Sequence, residues 1–451
     1  MAMPRSQGWT RYLRPTVSNR MLWLLCLMYF IFYIDRVNVS TAAPLVQRDL
    51  GLNHEQLGIA FGAFALPYTV FQIIGGWLGD RFGARRTLGI GGLIVCLATA
   101  LTGTVSGFLS LRLVRLLLGI GEGAAFPTAT RAMASWLPEE DWGYAQGITH
   151  CFARIGNALT PSLIVGLIAL LSWRGSFVIV GFASFAWVLL WVWFFRDDPH
   201  RHPGLSEAER AALPAPRPAS AALPRGERWR QWLRLGRRIL PVTAVDFCYG
   251  WTLWLFLSWI PSYFYGSFHV KLSAAAFLST AVFLAGVLGD TAGGLISDRI
   301  LARTGDLRRA RCSVIAGGLF GAAVFLIPVV VSHNLAVVTV ALAICFFSAE
   351  LVVGPIWSVP MDIAPAHAGT ASGMMNLGFG FAGMVSPWFF GRMIDATGSW
   401  AYPFVASLVL LCLGSLLGLR LRPDLPFTAE AKPAFAASSP RSPPDPMVNR
   451  L

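Results

Sequence analysis

The chain runs to 451 residues, 55% of them hydrophobic and only 13% charged, with a mean hydropathy of +0.58. No soluble domain carries that balance; it is the composition of a polytopic membrane protein. The net charge of +13 does not point to nucleic acid, because the basic residues fall between alternate apolar segments and form no single binding face.

Taken in chain order, residues 1–20 hold Arg5, Arg11, Arg14 and Arg20 ahead of the first apolar run. They are too long for a signal peptide and lack its small-residue cleavage site, so a retained cytoplasmic segment is expected. The run from Met21 to about Ala43 is long enough to span a bilayer, yet it contains Tyr33, Asp35, Arg36 and Asn38. Each ionisable group costs about 2.5–3.5 kcal/mol if it faces lipid. Asp35 and Arg36 must therefore face protein or a watery cavity, with partners on other helices. Apolar segments return at 56–79, 86–105, 109–131, 144–168, 175–195, 239–264, 274–297, 312–331, 336–359, 372–394 and 401–420. With the first they make about twelve spans, several interrupted by Gly or Pro.

Arginines choose the side. Arg81, Arg85 and Arg86 follow the second span, Arg299, Arg303, Arg308, Arg309 and Arg311 follow the eighth, and the 196–238 loop is rich in Arg. These loops and both termini are expected in the cytoplasm. The loop is the expected linker between an N-terminal bundle (21–195) and a C-terminal bundle (239–420), with a disordered tail at 421–451. Within it, 213–224 reads as flexible and 227–238 as a basic amphipathic helix on the inner leaflet. The seven cysteines include no Cys-x-x-Cys and sit in or beside apolar runs, so they read as small core residues, neither disulfides nor metal ligands.

An internal repeat marks the architecture. Gly76-Trp77-Leu78-Gly79-Asp80-Arg81-Phe82-Gly83-Ala84-Arg85-Arg86 closes the second span, and Gly294-Leu295-Ile296-Ser297-Asp298-Arg299 closes the eighth. Two six-helix halves related by such a repeat are a transporter design, with substrate held between them. Gly76, Asp80, Arg81, Gly83, Arg85, Arg86, Asp298 and Arg299 form a candidate conformational latch, made in one state and broken in the other.

Polar faces recur on the apolar helices. Arg115, Gly119 and Glu122 share one face of the fourth span; Tyr29, Tyr33, Arg36 and Ser40 stripe the first, with Asp35 about a hundred degrees round. Tyr68 and Gln72 lie one turn apart in the second span. Gln146, His150, Arg154 and Asn157 stripe the fifth, and Asn376, Gly380, Gly383 and Pro387 mark the eleventh. Such faces can converge on one cavity. Arg154 either pairs with Asp290 across the halves as an inter-bundle gate or meets a second acidic group on the substrate. Asn376 is either a ligand contact or an interhelical hydrogen bond. Asp246 and Glu350 are further buried acids.

The first glycine–aspartate–arginine segment resembles the loop motif of the major facilitator superfamily. The run Arg115…Gly119…Glu122-Gly123…Pro127…Trp136…Pro138-Glu139 resembles that superfamily's anion:cation symporter family, as do Tyr33…Asp35-Arg36…Asn38 and Gly354-Pro355…Trp357 with Gly373…Asn376. That family includes bacterial sugar-acid and aromatic-acid permeases, sialin and the vesicular glutamate transporters. The resemblance spans the chain outside its tails. It implies an all-α polytopic fold of two pseudo-symmetric six-helix bundles, and proton-coupled symport of a small organic anion by alternating access in the cytoplasmic membrane. A sugar acid, aromatic acid or dicarboxylic acid is the implied substrate. Arg36 is implied to bind the carboxylate, Arg115 to pair with Asp35 until a proton arrives, and Glu122 to be a second proton site, with Tyr33, Tyr68, Trp357 and Asn376 lining the ligand.

Asp141-Trp142 departs from the Arg usual after Pro-x-x-Glu. Cys248-Tyr249-Gly250-Trp251 lacks the extra Arg of the vesicular glutamate branch, which argues against glutamate. An exporter or antiporter of organic compounds is the alternative function, opposed by the cationic lining. An enzyme is opposed by the lack of His-Glu-x-x-His, paired metal-ligand histidines or Gly-x-Ser-x-Gly. The expected partners are the anion, protons and lipid, with no cofactor, no metal and no nucleic acid, and nothing calls for more than a monomer.

Overall fold

Within a bilayer every backbone N–H and C=O must find its partner inside its own segment, which restricts an apolar chain of this kind to helices. The computed structural model describes residues 16–137, 142–213, 225–364, 368–425 and 427. In order come α1 (Val17–Leu50), α2 (His54–Ala63), α3 (Ala65–Phe82), α4 (Ala84–Thr102), α5 (Phe108–Trp136), α6 (Trp142–Leu170), α7 (Trp173–Phe194) and the short α8 (Glu207–Ala212). The second half holds α9 (Arg225–Phe268), α10 (Leu272–Thr304), α11 (Leu307–Val331), α12 (Leu335–Glu350), α13 (Val353–Ile363), α14 (Ala368–Thr397) and α15 (Ala401–Leu419).

Among the described residues ten spans are long and apolar enough to cross a membrane, counting α2–α3 and α12–α13 as one each. The more polar α5 packs on α3 and α4, and α14 packs on α9 and α2, which brings each half to six spans among the described residues. Large apolar side chains such as Ile73, Phe182, Trp193, Phe277 and Leu288 stand exposed on the outer surface, as a lipid-facing belt requires. Between helices small residues do the packing. A Cβ on Gly119 would collide with the Phe64 carbonyl, and one on Gly123 would stand 2.6 Å from the carbonyl oxygen of Tyr68. This closeness sets the polar face of α5 against the aromatic residues of α2–α3.

The 227–238 stretch is helical but continuous with the seventh span, not a separate surface helix. Leu235 and Ile239 are buried, and Arg238 Nη2 donates to the carbonyls of Arg422 and Leu425, which ties this turn to the bundle. The expected flexible stretch lies outside the described residues from 214 onward, as do nearly all of the expected tail, residues 1–15, and Pro138 to Asp141.

The described part of the linker clasps the start of α1. Ser206 and Glu209 form a capping box on α8, and Glu209 Oε1 also accepts the Val17 N–H at 2.8 Å. His202 is buried against Trp136 and Phe194. Burial opposes the charge on Glu209, but the N–H groups of Ser206 and Val17 and the Ser206 hydroxyl outweigh it and hold the carboxyl below its ordinary pKa. A depressed carboxyl contributes stability above its unfolded value and loses it as pH falls through the lowered one. Glu209→Gln is expected to speed tryptic cleavage at Arg210 about fivefold, as loss of a cap of about 1 kcal/mol implies. An unchanged cleavage rate at neutral pH would contradict this.

Candidate functional site

The polar stripe of α1 meets the polar face of α5 around one ion pair. Arg36 Nε and Nη2 donate to a single carboxylate oxygen, Glu122 Oε2, at 3.0 and 2.7 Å. Both residues are buried, at 3% and 0% exposure. The guanidinium sits in an aromatic cage: ring centroids of Tyr33 and Tyr68 lie 4.7 Å away, Phe64 5.0 Å, Phe126 5.7 Å and Trp254 6.0 Å. Trp254 comes from α9, so the cage draws on both halves. Glu122 Oε1 has no hydrogen-bond partner among the described residues.

Arg115 adds a second buried cation beside the pair. It approaches the Arg36 carbonyl at 3.5 Å and lies 5.1 Å over the Phe64 ring. Among the described residues no ion pair joins it to Asp35. Asp35 lies a third of a turn from Arg36 and points into the N-terminal half, where Ser184 of α7 donates to its Oδ2 at 2.7 Å. The Asp35–Arg115 pair that the resemblance implies while no proton is bound is not made here, where α1 and α5 are joined by Arg36–Glu122.

A second cluster occupies the seam between the halves. Arg154 of α6 donates through Nε to Asp290 Oδ2 of α10 at 3.2 Å, and its Nη2 stands 3.1 Å from Glu350 Oε2 of α12. Between α3 and α14, Asn376 Nδ2 donates to Gln72 Oε1 at 2.9 Å, the interhelical alternative for that residue. Asp246 accepts the Phe379 N–H at 3.2 Å. Trp357 does not join either cluster. Beginning at Val353, α13 turns Ile356, Val359 and Ile363 inward, and Trp357, next to Ile356, is exposed.

Comparison with known proteins settles the family. A profile described as Major Facilitator Superfamily matches residues 25–387. The chain belongs to the Major Facilitator Superfamily. It is 46% identical over 417 residues to the "Probable sulfoacetate transporter SauU" of Cupriavidus necator, covering 91% of this chain and 95% of that one. It is 29% identical over 397 residues to the "Hexuronate transporter" of Bacillus subtilis (86% and 91%). To the "D-galactonate transporter" of Escherichia coli it is 29% identical over 415 residues (89% and 94%). Among solved structures, a bacterial homologue of the human lysosomal transporter Spinster, inward-facing and unoccupied, superposes with a TM-score of 0.71 at 18% identity, over 90% of this chain and 97% of that one. This Major Facilitator Superfamily chain is thus a multi-pass membrane transporter.

The repeated loop segments are built differently from each other. In the first, Gly83 has φ of +86°, and Arg85 donates through its N–H to Asp197 and through its guanidinium to the Val192 carbonyl. Gly76 faces Pro127, Arg81 stacks on Trp77 and Phe82, and Arg86 is exposed; the Asp80 side chain lies outside the described residues. In the second, Asp298 pairs at 3.1 Å with Arg311 of α11, which also binds Asp362 of α13. Arg299, one residue on and turned about a hundred degrees away, is exposed.

The end of the molecule away from these arginines is closed by contacts that sequence reading missed. Asp395 of α14 accepts the His54 and Glu55 N–H groups and His54 Nδ1, capping α2 from the other half. Glu55 accepts from Arg392 at 2.9 Å and from Trp388 Nε1 at 3.3 Å. The available signal was Arg392 and Asp395, three apart at the end of a span. A Cβ on Gly58 would collide with the Pro387 carbonyl, so only glycine allows this closure. Gly58→Leu is expected to lengthen the distance between spin labels at Asn53 and Ala396 by several ångströms; an unchanged distance would show that the close approach is dispensable.

Proposed function

We propose that this chain carries a small organic anion together with protons across the cytoplasmic membrane by alternating access, with both termini in the cytoplasm. The observation that carries the reading is that Glu122 occupies the donor fork of Arg36, the place an anionic substrate would take. A guanidinium holds a carboxylate or sulfonate through parallel charge-assisted hydrogen bonds. While Glu122 is ionised it competes with the substrate for those donors; once protonated it yields them. One proton is thereby taken up for each negative charge bound, and Arg115 steadies the incoming anion. Asp35, held by Ser184 behind α1, is a second proton acceptor, and Arg154–Asp290 a gate between the halves. The contacts at His54, Glu55, Arg392 and Asp395 close the outer side while the arginine-rich end opens inward, the 196–238 stretch acting as the joint.

The relatives support an organic anion, and the cage narrows the choice. Of the five rings around Arg36 only Tyr33 and Tyr68 carry a hydroxyl, and the Trp254 N–H is already given to the Phe379 carbonyl, which favours a compact acid over a polyhydroxylated one. Sulfoacetate is therefore the first substrate to try, followed by hexuronates, galactonate, glucarate, tartrate and phthalate. Proteoliposomes holding the purified chain are expected to accumulate labelled sulfoacetate under an inward proton gradient, and a protonophore to abolish the accumulation. Equilibration without accumulation would remove proton coupling, and no uptake of any of these acids would remove the substrate class.

A further inference from the structure

Arg154 is one cation between two carboxylates, Asp290 at 3.2 Å and Glu350 at 3.1 Å. With all three ionised the group carries one uncompensated negative charge at the seam of the halves. Glu350 is 0% exposed; its Oε2 meets Arg154 Nη2 as an ion pair without hydrogen-bond geometry, and Arg154 Nη1 has no hydrogen-bond partner among the described residues. Tyr249 of α9 donates its hydroxyl to the other oxygen, Glu350 Oε1, at 3.1 Å. Glycines bring α10 down onto this acid: a Cβ on Gly286 or on Gly289 would stand 3.1 Å from the Glu350 side chain. The other titratable groups around the cluster are His150 and Cys151 on α6 and Tyr33 on α1. Of these only His150 can add positive charge, and its ring stands edge-on against that of Tyr29.

An unbalanced charge at membrane depth is costly, and a shared proton removes it. We propose that Asp290 and Glu350 together bind one proton around Arg154, giving the C-terminal half a proton site of its own, apart from Arg36–Glu122. The use of the site in transport rests on the symport reading, but its occupancy by a proton does not.

Infrared difference spectra of the purified full-length protein during a pH titration read the carbonyl stretch of protonated carboxyl groups without any transported anion. The wild type is expected to show such a component at neutral pH. Glu350→Gln or Asp290→Asn leaves one carboxylate for one guanidinium and is expected to remove it, lowering its titration midpoint by a pH unit or more, at least about tenfold in proton affinity. Asp35→Asn and Glu122→Gln are expected to leave it in place. A wild type with no protonated carboxyl at neutral pH overturns the proposal even if the variants fail to fold, and so does a component that survives both substitutions. A wild type that shows the component but accumulates no anion overturns the symport reading alone.

Discussion

Glu122→Gln is expected to free the binding of anion from pH while abolishing its accumulation under a proton gradient. On the proposed coupling the wild-type anion displaces an ionised Glu122 from Arg36 or waits for its protonation, so affinity is expected to fall as pH rises. Glutamine keeps the shape of the side chain but can neither hold the proton nor compete as an anion. Charge-assisted hydrogen bonds contribute about 1.5–3 kcal/mol each, so at alkaline pH the variant is expected to bind sulfoacetate about tenfold to a hundredfold more tightly than the wild type. Counterflow exchange, which needs no net proton movement, is expected to persist. Isothermal titration across pH with paired uptake and counterflow assays measures all three. A Glu122→Gln variant whose affinity still follows the wild-type pH curve would return the coupling proton to another residue.

Arg36→Ala has the second large effect, in two separable parts. Anion binding is expected to be lost, because the cage then holds no donor fork. The fold is expected to lose about 3–5 kcal/mol, because Glu122 is left buried without its cation. Arg36→Ala combined with Glu122→Gln removes that stranded charge and is expected to recover most of the melting temperature but none of the binding. Wild-type affinity in Arg36→Ala would move the anion site elsewhere.

The gathering of Arg36, Arg115 and Glu122 into one cluster was legible because lipid penalises each charge and spacing of three and four puts Arg115 and Glu122 on one helix face. Which partner each would choose was not. Asp35 adjoins Arg36 in sequence, yet a rotation of about a hundred degrees sends it to Ser184, a residue with no mark of its own in the apolar run of α7. Phe64, Phe126 and Trp254 were invisible as cage residues, since an aromatic ring in a membrane span looks the same whether it meets lipid, core or a guanidinium. Arg154 and Asp290 could be paired from their depth on opposite halves, but Glu350 joins them only through the close packing of α10 on α12 at glycines. The same limit explains Arg311 for Arg299 and the unforeseen Glu55–Arg392 and His54–Asp395 contacts, where charges at span ends looked like loop solvation. Periodicity reports faces, and the choice of neighbour is decided by contacts far apart in the chain.

The coupled uptake of a proton and an anion at Arg36–Glu122 is tested most directly by adding the anion that proteoliposomes accumulate to purified protein in weakly buffered solution near neutral pH, with a pH indicator. The solution is expected to turn more alkaline as at least one proton is taken up for each anion bound, with that proton missing in Glu122→Gln. Saturable binding to the wild type with no proton uptake would contradict it.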